Sequence, residues 1–185
     1  MPTEFTHLFV SGWLGKTWTD HPMPRRFWAL AAACSIIPDI DIIGFYFGIR
    51  YTDLFGHRGF THSLSFALLV SVLVVVLGFP EVVRFTKQWF SLALFFFLAT
   101  ASNGFLDSMS DKGLGVGFFI PFDNARYVMF WRPLTAWPLR PSGIFRLAGL
   151  KILLNEIFWI WLPLLVVYSG VSWYRRSNRT PGSER

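Results

Sequence analysis

The run His57-Arg58-Gly59-Phe60-Thr61-His62-Ser63 puts two imidazoles and a guanidinium against the apolar stretch 64–79, and Pro38-Asp39-Ile40-Asp41 sets two carboxylates inside the apolar stretch before it. An ionisable group in or beside hydrocarbon costs on the order of a few kcal/mol, so it survives where it is paired or does chemistry. Imidazole nitrogens and carboxylate oxygens together form a donor set for a divalent metal, zinc foremost, with manganese or iron as alternatives. One or two ions held there would lower the pKa of bound water and activate it for hydrolysis.

Spacing decides which of these residues can meet. On an unbroken α-helix Asp39 and Asp41 would point about 200° apart, but Pro38 removes a backbone donor and breaks or kinks the helix. A broken helix is expected to aim both carboxylates into one cavity, where irregular backbone is tolerated at membrane depth. His57 and His62 have Gly59 between them, so a turn at Gly59 is expected to fold His57 back while Thr61 or Ser63 caps the next helix. Asn103 and Asp107 form an i, i+4 pair on one helix face, which makes Asp107 a third candidate carboxylate. His7 precedes Ser11 and Gly15 at four-residue steps, a small-residue face for close helix packing that would draw His7 inward. Glu156 is the one acid in the last apolar stretch and needs a partner there; a ligand, a catalytic base and an ion-pair partner of a site arginine all fit. Arg58 offers the planar fork that matches phosphate, and Arg126 and Arg132 are weaker candidates for headgroup contacts.

The elements that position these residues must be membrane helices. Hydrophobic residues make up 53% of the 185-residue chain and charged residues only 15%, with nine Trp and 21 Phe. Soluble domains carry about 25% charged residues, so much of this surface faces lipid. Apolar stretches at 27–47, 63–79, 89–106 and 152–171 are each near the ~20 residues that cross a bilayer. Residues 5–14 are too few to span and suit a re-entrant or interfacial helix. The expected architecture is all-α: one polytopic, membrane-embedded domain over residues 1–176, with about four transmembrane helices, and a disordered polar tail at 177–185. The connection 107–146, rich in Gly, Pro and aromatics such as Trp131 and Trp137, is expected to cover the mouth of the bundle.

The formal net charge of +6 does not form a basic face interleaved with stacking aromatics, so nucleic acid is not an expected partner. Basic residues instead flank apolar stretches, as topology determinants do. With four crossings, Arg25, Arg26, Arg84, Lys87, Arg175, Arg176 and Arg179 share one side, which points to a cytoplasmic tail and a site opening to the periplasmic face. Cys34 is the sole cysteine, so an intramolecular disulfide and a thiolate metal site are excluded.

Thr6-His7, Pro38-Asp39-Ile40-Asp41, the HRGxTHS run at 57–63 and the stretch from Leu106-Asp107 to Pro121-Phe122 together resemble the bacterial inner-membrane metal-dependent hydrolase family, also called YdjM-like, over about residues 5–165. The resemblance implies a multi-pass protein of the bacterial inner membrane with a metal site made by His7, Asp39, Asp41, His57, His62 and Asp107. That family is distantly similar to zinc-dependent phospholipase C and the S1/P1 nucleases, helical proteins that cleave phosphoesters with a His and Asp metal cluster. By analogy the substrate is a phosphoester. Members carry histidine four residues before the aspartate that matches Asp107, where this chain has Asn103, and a neutral amide is a poorer transition-metal ligand. Asn103 either ligates through its carbonyl, leaves the site one donor short, or disables it. The expected function is metal-dependent hydrolysis of an amphipathic, lipid-type substrate, with Arg58 and Glu156 as catalytic candidates beside the ligands. The alternative is a transporter or an ion- or proton-conducting protein that uses the same buried Asp and His residues.

Overall fold

In the computed structural model, which describes residues 1–19, 21–136 and 147–178, apolar periodicity resolves into six α-helices. These are α1 (Glu4–Trp18), α2 (Arg25–Ile36), α3 (Leu64–Gly78), α4 (Lys87–Ser108), α5 (Leu147–Glu156) and α6 (Leu162–Ser177). A 3-10 stretch, Ile37–Phe47, continues α2, and a π-helical turn, Ile157–Trp161, joins α5 to α6. Among the described residues β pairing is limited to two isolated bridges, Ser110 with Leu134 and Val116 with Tyr127, so the fold is all-α. Helices α3 and α4 carry hydroxyl caps, whereas the Thr3 hydroxyl at the start of α1 goes to Glu156. Ser63 Oγ accepts from Phe66 N at 3.1 Å and Thr86 Oγ1 from Trp89 N at 3.3 Å, each such cap worth about 1 kcal/mol.

Three helical segments are long and apolar enough to cross a membrane by length and composition: Arg25–Phe47, Lys87–Ser108 and Leu147–Ser177. The expectation of four holds for three. Helix α3 has 15 residues, a rise of roughly 22 Å against about 30 Å of hydrocarbon, because Pro80 forces the chain out of the helix just after Gly78. Helix α1 is longer than residues 5–14. Pro38 does not break the helix it sits in; the backbone tightens to 3-10 pitch and runs on until Gly48, at φ 78°, ends it in a left-handed cap. At about 120° per residue, Asp39 and Asp41 diverge by about 120° instead of the roughly 160° of an α-helix. Helix α6 reaches Ser177, while residues 179–185, Trp137 and Arg146 lie outside the described residues.

The segments alternate in direction between two ends of one bundle. At one end Arg175 Nη2 donates to Thr17 O at 2.6 Å, Trp18 Nε1 to Ser91 Oγ at 3.1 Å, and Arg26 pairs with Glu81. The other end gathers the 3-10 stretch, the start of α3, the finish of α4 and Glu156 near the middle of the last segment. Between them lies an aromatic core, with Phe27, Phe95 and Phe96 fully buried and the Phe27 and Phe95 rings 4.5 Å apart. Lipid supplies little drive for helices to associate, so close packing matters more. The small face of α1 provides it: Ser11 Oγ donates to Ala31 O at 2.9 Å, and a Cβ at Gly15 would stand 2.6 Å from the Trp28 ring.

Candidate metal centre

Asp39, His57 and His62 each offer one ligand atom, and those atoms lie within 4.8 Å of one another. The 3-10 stretch supplies Asp39, and the loop leading into α3 supplies both histidines. All three residues are buried. His62 Nε2 stands 3.5 Å from Asp39 Oδ1 and 3.5 Å from Asp107 Oδ2, too far for a good hydrogen bond. Among the described residues Asp39 Oδ1, His62 Nε2, Asp107 Oδ1 and both ring nitrogens of His7 are buried with no hydrogen-bond partner, while Asp107 Oδ2 is engaged by Arg58. Leaving a buried polar group unsatisfied costs about 1–3 kcal/mol, so this many at one end is the pattern of donors prepared for a cation.

Charge balance points the same way. Asp39, Asp107, Glu156 and the Asp41 side chain are all buried at this end, with Arg58 the one buried strong cation among the described side chains. Burial alone would lower the pKa of His62, but the carboxylates of Asp107, Asp39 and Asp41 outweigh it and hold the imidazole well above its ordinary range. In the absence of a metal, a proton on His62 partly offsets the excess of carboxylates. The residues present therefore fit a divalent ion by donor type, burial and charge.

Asp41 faces the histidines from behind. Its carboxylate accepts from His57 Nδ1 at 2.7 Å, from Arg58 N at 3.0 Å and from Thr61 Oγ1 at 2.6 Å, and lies 3.1 Å from His62 Nδ1. One carboxylate thus orients two imidazoles through Nδ1, the usual arrangement behind a metal-bound histidine, and leaves His62 Nε2 turned to Asp39 and Asp107. Sequence spacing placed Asp41 among the ligands; its geometry makes it the residue that orients them. Ser63 caps α3, and Thr61 is the hydroxyl on Asp41. The turn that folds His57 back falls at Arg58, with φ 64°, and not at Gly59. A non-glycine residue there is held against a backbone cost. Gly59 is required for another reason, since a Cβ would collide with the carbonyl oxygens of Leu54 and Gly56.

Arg58 stands in an ion pair with Asp107, Nε to Oδ2 at 2.9 Å, while Nη1 donates to Lys112 O at 3.3 Å and Nη2 to Ser110 Oγ at 3.5 Å. Its fork is committed inside the protein. Asn103 Nδ2 donates to Ser35 O at 3.0 Å and also to Asp39 Oδ2, with Oδ1 unpartnered. Asn103 thereby steers the Asp39 carboxylate. His7 is fully buried on α1, outside the convergent trio. Glu156 accepts from Thr3 N, Thr3 Oγ1 and Thr6 Oγ1 at 2.6–2.7 Å, so its carboxylate ties down the segment before α1. Arg126 donates to the carbonyls of His57, Tyr51 and Asp53 at 2.9–3.0 Å, and Arg132 to Ser110 O. Both tie loops to the site and are not turned outward to headgroups.

A cleft of about 140 Å³ reaches His57 and Arg58 and is lined also by Tyr51, Lys112 and Gly113 among others. Tyr51 packs its ring edge-on to His57, centroids 5.6 Å apart, and its hydroxyl is buried without a hydrogen-bond partner among the described residues. Nothing in the local sequence marks Tyr51 as part of the site, because its reach depends on the loop fold that Arg126 holds. Tyr46 and Phe47, at the finish of the 3-10 stretch, and Phe122 and Phe130, in the connection after α4, stand exposed.

Comparison with known proteins bears on the whole chain. The family model for the YdjM inner membrane protein matches residues 1–179. Inner membrane protein YbcI of Escherichia coli (strain K12) is 33% identical over 181 residues, covering 95% of this chain and 99% of that protein. No solved structure matches.

Proposed function

Because the chain belongs to the YdjM inner membrane protein family and its buried His and Asp donors converge at one end of the bundle, we propose that it is a membrane-embedded, metal-dependent hydrolase. The observation that carries the reading is the set of ligand atoms of Asp39, His57 and His62, mutually within 4.8 Å, together with the unpartnered nitrogens and oxygens around them. Asp39, His57 and His62 would hold the first ion, with zinc suited to the nitrogen and oxygen set. Asp107, His7 and the Asn103 carbonyl are the donors available to enlarge that site or to form a second. A divalent ion bound there supplies Lewis acidity and activated water at neutral pH.

The protein's own residues do the rest. Asp41 holds both imidazoles by Nδ1, keeps them correctly turned and makes them better donors to a metal. Arg58 holds the Asp107 carboxylate and contributes positive charge beside the reacting centre. Tyr51 presents a hydroxyl donor to substrate in the cleft, and Lys112 draws an anionic group to its mouth. Glu156 serves as an anchor for the chain entering α1.

The surroundings support one substrate class. The exposed aromatics of the 3-10 stretch and the connection after α4 suit the interfacial layer of a bilayer and support an amphipathic substrate, with a polar head in the cleft and tails in lipid. A phosphoester in that head rests on the resemblance to zinc-dependent phospholipase C and the S1/P1 nucleases. The flanks at the opposite end carry Lys16, Arg25, Arg26, Arg84, Lys87, Arg175 and Arg176, and this basic bias supports a cytoplasmic position for that end and a periplasmic one for the cleft. The test is headgroup release from mixed micelles of bacterial phospholipids by purified protein with added Zn²⁺ or Mn²⁺. Release should be metal-dependent and fall at least a hundredfold in His62→Ala. Release that survives both chelator and His62→Ala rules the reading out.

A further inference from the structure

Two adjoining cavities lie at the end of the bundle opposite the metal centre. One, of about 480 Å³, is an apolar slot between α1 and α6, lined by Phe9, Gly12, Trp13 and Leu165. The other, of about 570 Å³, carries Lys16, His21, Arg175 and Arg176 and has no acidic side chain in its lining among the described residues. They meet at Lys16, Trp28 and Tyr168, which line both. Each is in the size range of a specific small-molecule site.

We infer that this end of the protein holds one anionic glycerophospholipid, its phosphate at Lys16 and Arg176 and one acyl chain in the slot between α1 and α6. Three features select that occupant over a neighbouring helix. The slot changes from apolar to cationic along its length, as a lipid changes from tail to anionic head, whereas a transmembrane helix stays apolar over this depth. Trp28 and Tyr168 sit at the change, where amphipathic rings mark the boundary of hydrocarbon and headgroup. The cavity is also built into the bundle. Trp13 Nε1 donates to Leu164 O at 2.7 Å and braces α1 against α6, and a Cβ added at Gly12 meets no atom within 4 Å. Glycine at that position leaves the slot open.

Lys16 packs over the Trp28 ring, 5.2 Å from its centroid, and Arg175 holds Thr17 O, so the cations are placed before the lipid arrives. Anionic lipid of the leaflet at this end is the available ligand of matching charge. This lipid is separate from any substrate at the metal centre.

The experiment is native mass spectrometry of the full chain released from nanodiscs containing equal phosphatidylglycerol and phosphatidylcholine. Wild-type protein should retain one phosphatidylglycerol with at least tenfold preference over phosphatidylcholine. Lys16→Gln/Arg176→Gln should lose that preference, and Gly12→Phe should lose retained lipid of both kinds, with metal content unchanged in each. Equal retention of the two lipids by the wild type, an unchanged preference in the double variant, undiminished retention in Gly12→Phe, or a dimer in place of bound lipid would each overturn the proposal. Because both exposed cations can be changed without touching the core, the double variant decides even where Gly12→Phe fails to fold.

Discussion

Asp41 shows how a residue outside the ligand trio can govern it. Its carboxylate is the common partner of His57 Nδ1 and His62 Nδ1 and is itself held by Thr61. Asp41→Asn keeps the shape but replaces an ionised acceptor with a neutral amide, so metal affinity should fall about 10–100-fold with the helical circular dichroism intact. Competition against a chromophoric chelator measures it. A second prediction concerns pH. His62 is held above its ordinary 6.5 once the neighbouring carboxylates overcome burial. The stability this gives the metal-free protein is full below the unfolded pKa and is lost as pH rises through the raised folded value. The melting temperature of chelated protein should therefore drop on the alkaline side. Zinc-loaded protein, whose His62 has already released its proton, should not follow it; superimposable profiles would contradict the assignment. At this scale the sequence was legible as far as which side chains gather, since ionised groups beside hydrocarbon stand out. It was not legible as to which ligate and which orient. That division depends on the 3-10 pitch after Pro38 and on the left-handed backbone at Arg58, neither of which leaves a mark in residue spacing.

Helix packing makes its own predictions. Gly15 lets α1 approach Trp28 and Phe27, and a Cβ there has no room. Gly15→Leu should destabilise the protein by about 1–3 kcal/mol, read as a lowered melting temperature in detergent, while Gly12→Ala, one turn earlier and facing open space, should leave it near wild type. An equal effect of the two would mean that α1 does not pack as described. The four-residue rhythm of Ser11 and Gly15 made this face visible in the sequence. Apolar length alone does not set α3 apart, because a 15-residue helix and a longer one look alike until Ser63 and Pro80 are recognised as its limits. Pro38 misled in another way. Proline forbids the α-helical hydrogen bond to the residue four before it, but it sits comfortably in the first turn of a 3-10 helix, so a change of pitch met the constraint with no break.

The whole molecule is a bundle with chemically opposite ends. Carboxylates and histidines collect where α4 finishes and α3 starts, and cations collect where α1 and α6 finish. The sign of each end follows from its neighbours: the first is buried among donors that need a cation, and the second faces solvent or anionic headgroups. The fold class and membrane character were legible from composition, whereas the separation into two ends required the antiparallel run of the segments. Metal stoichiometry tests the central assignment most directly. Full-length protein purified in detergent, loaded with zinc, dialysed and analysed by elemental mass spectrometry should carry at least one equivalent per chain, and His57→Ala/His62→Ala less than a tenth of that. Metal-free wild-type protein after loading, or equal metal in the two proteins, would contradict it.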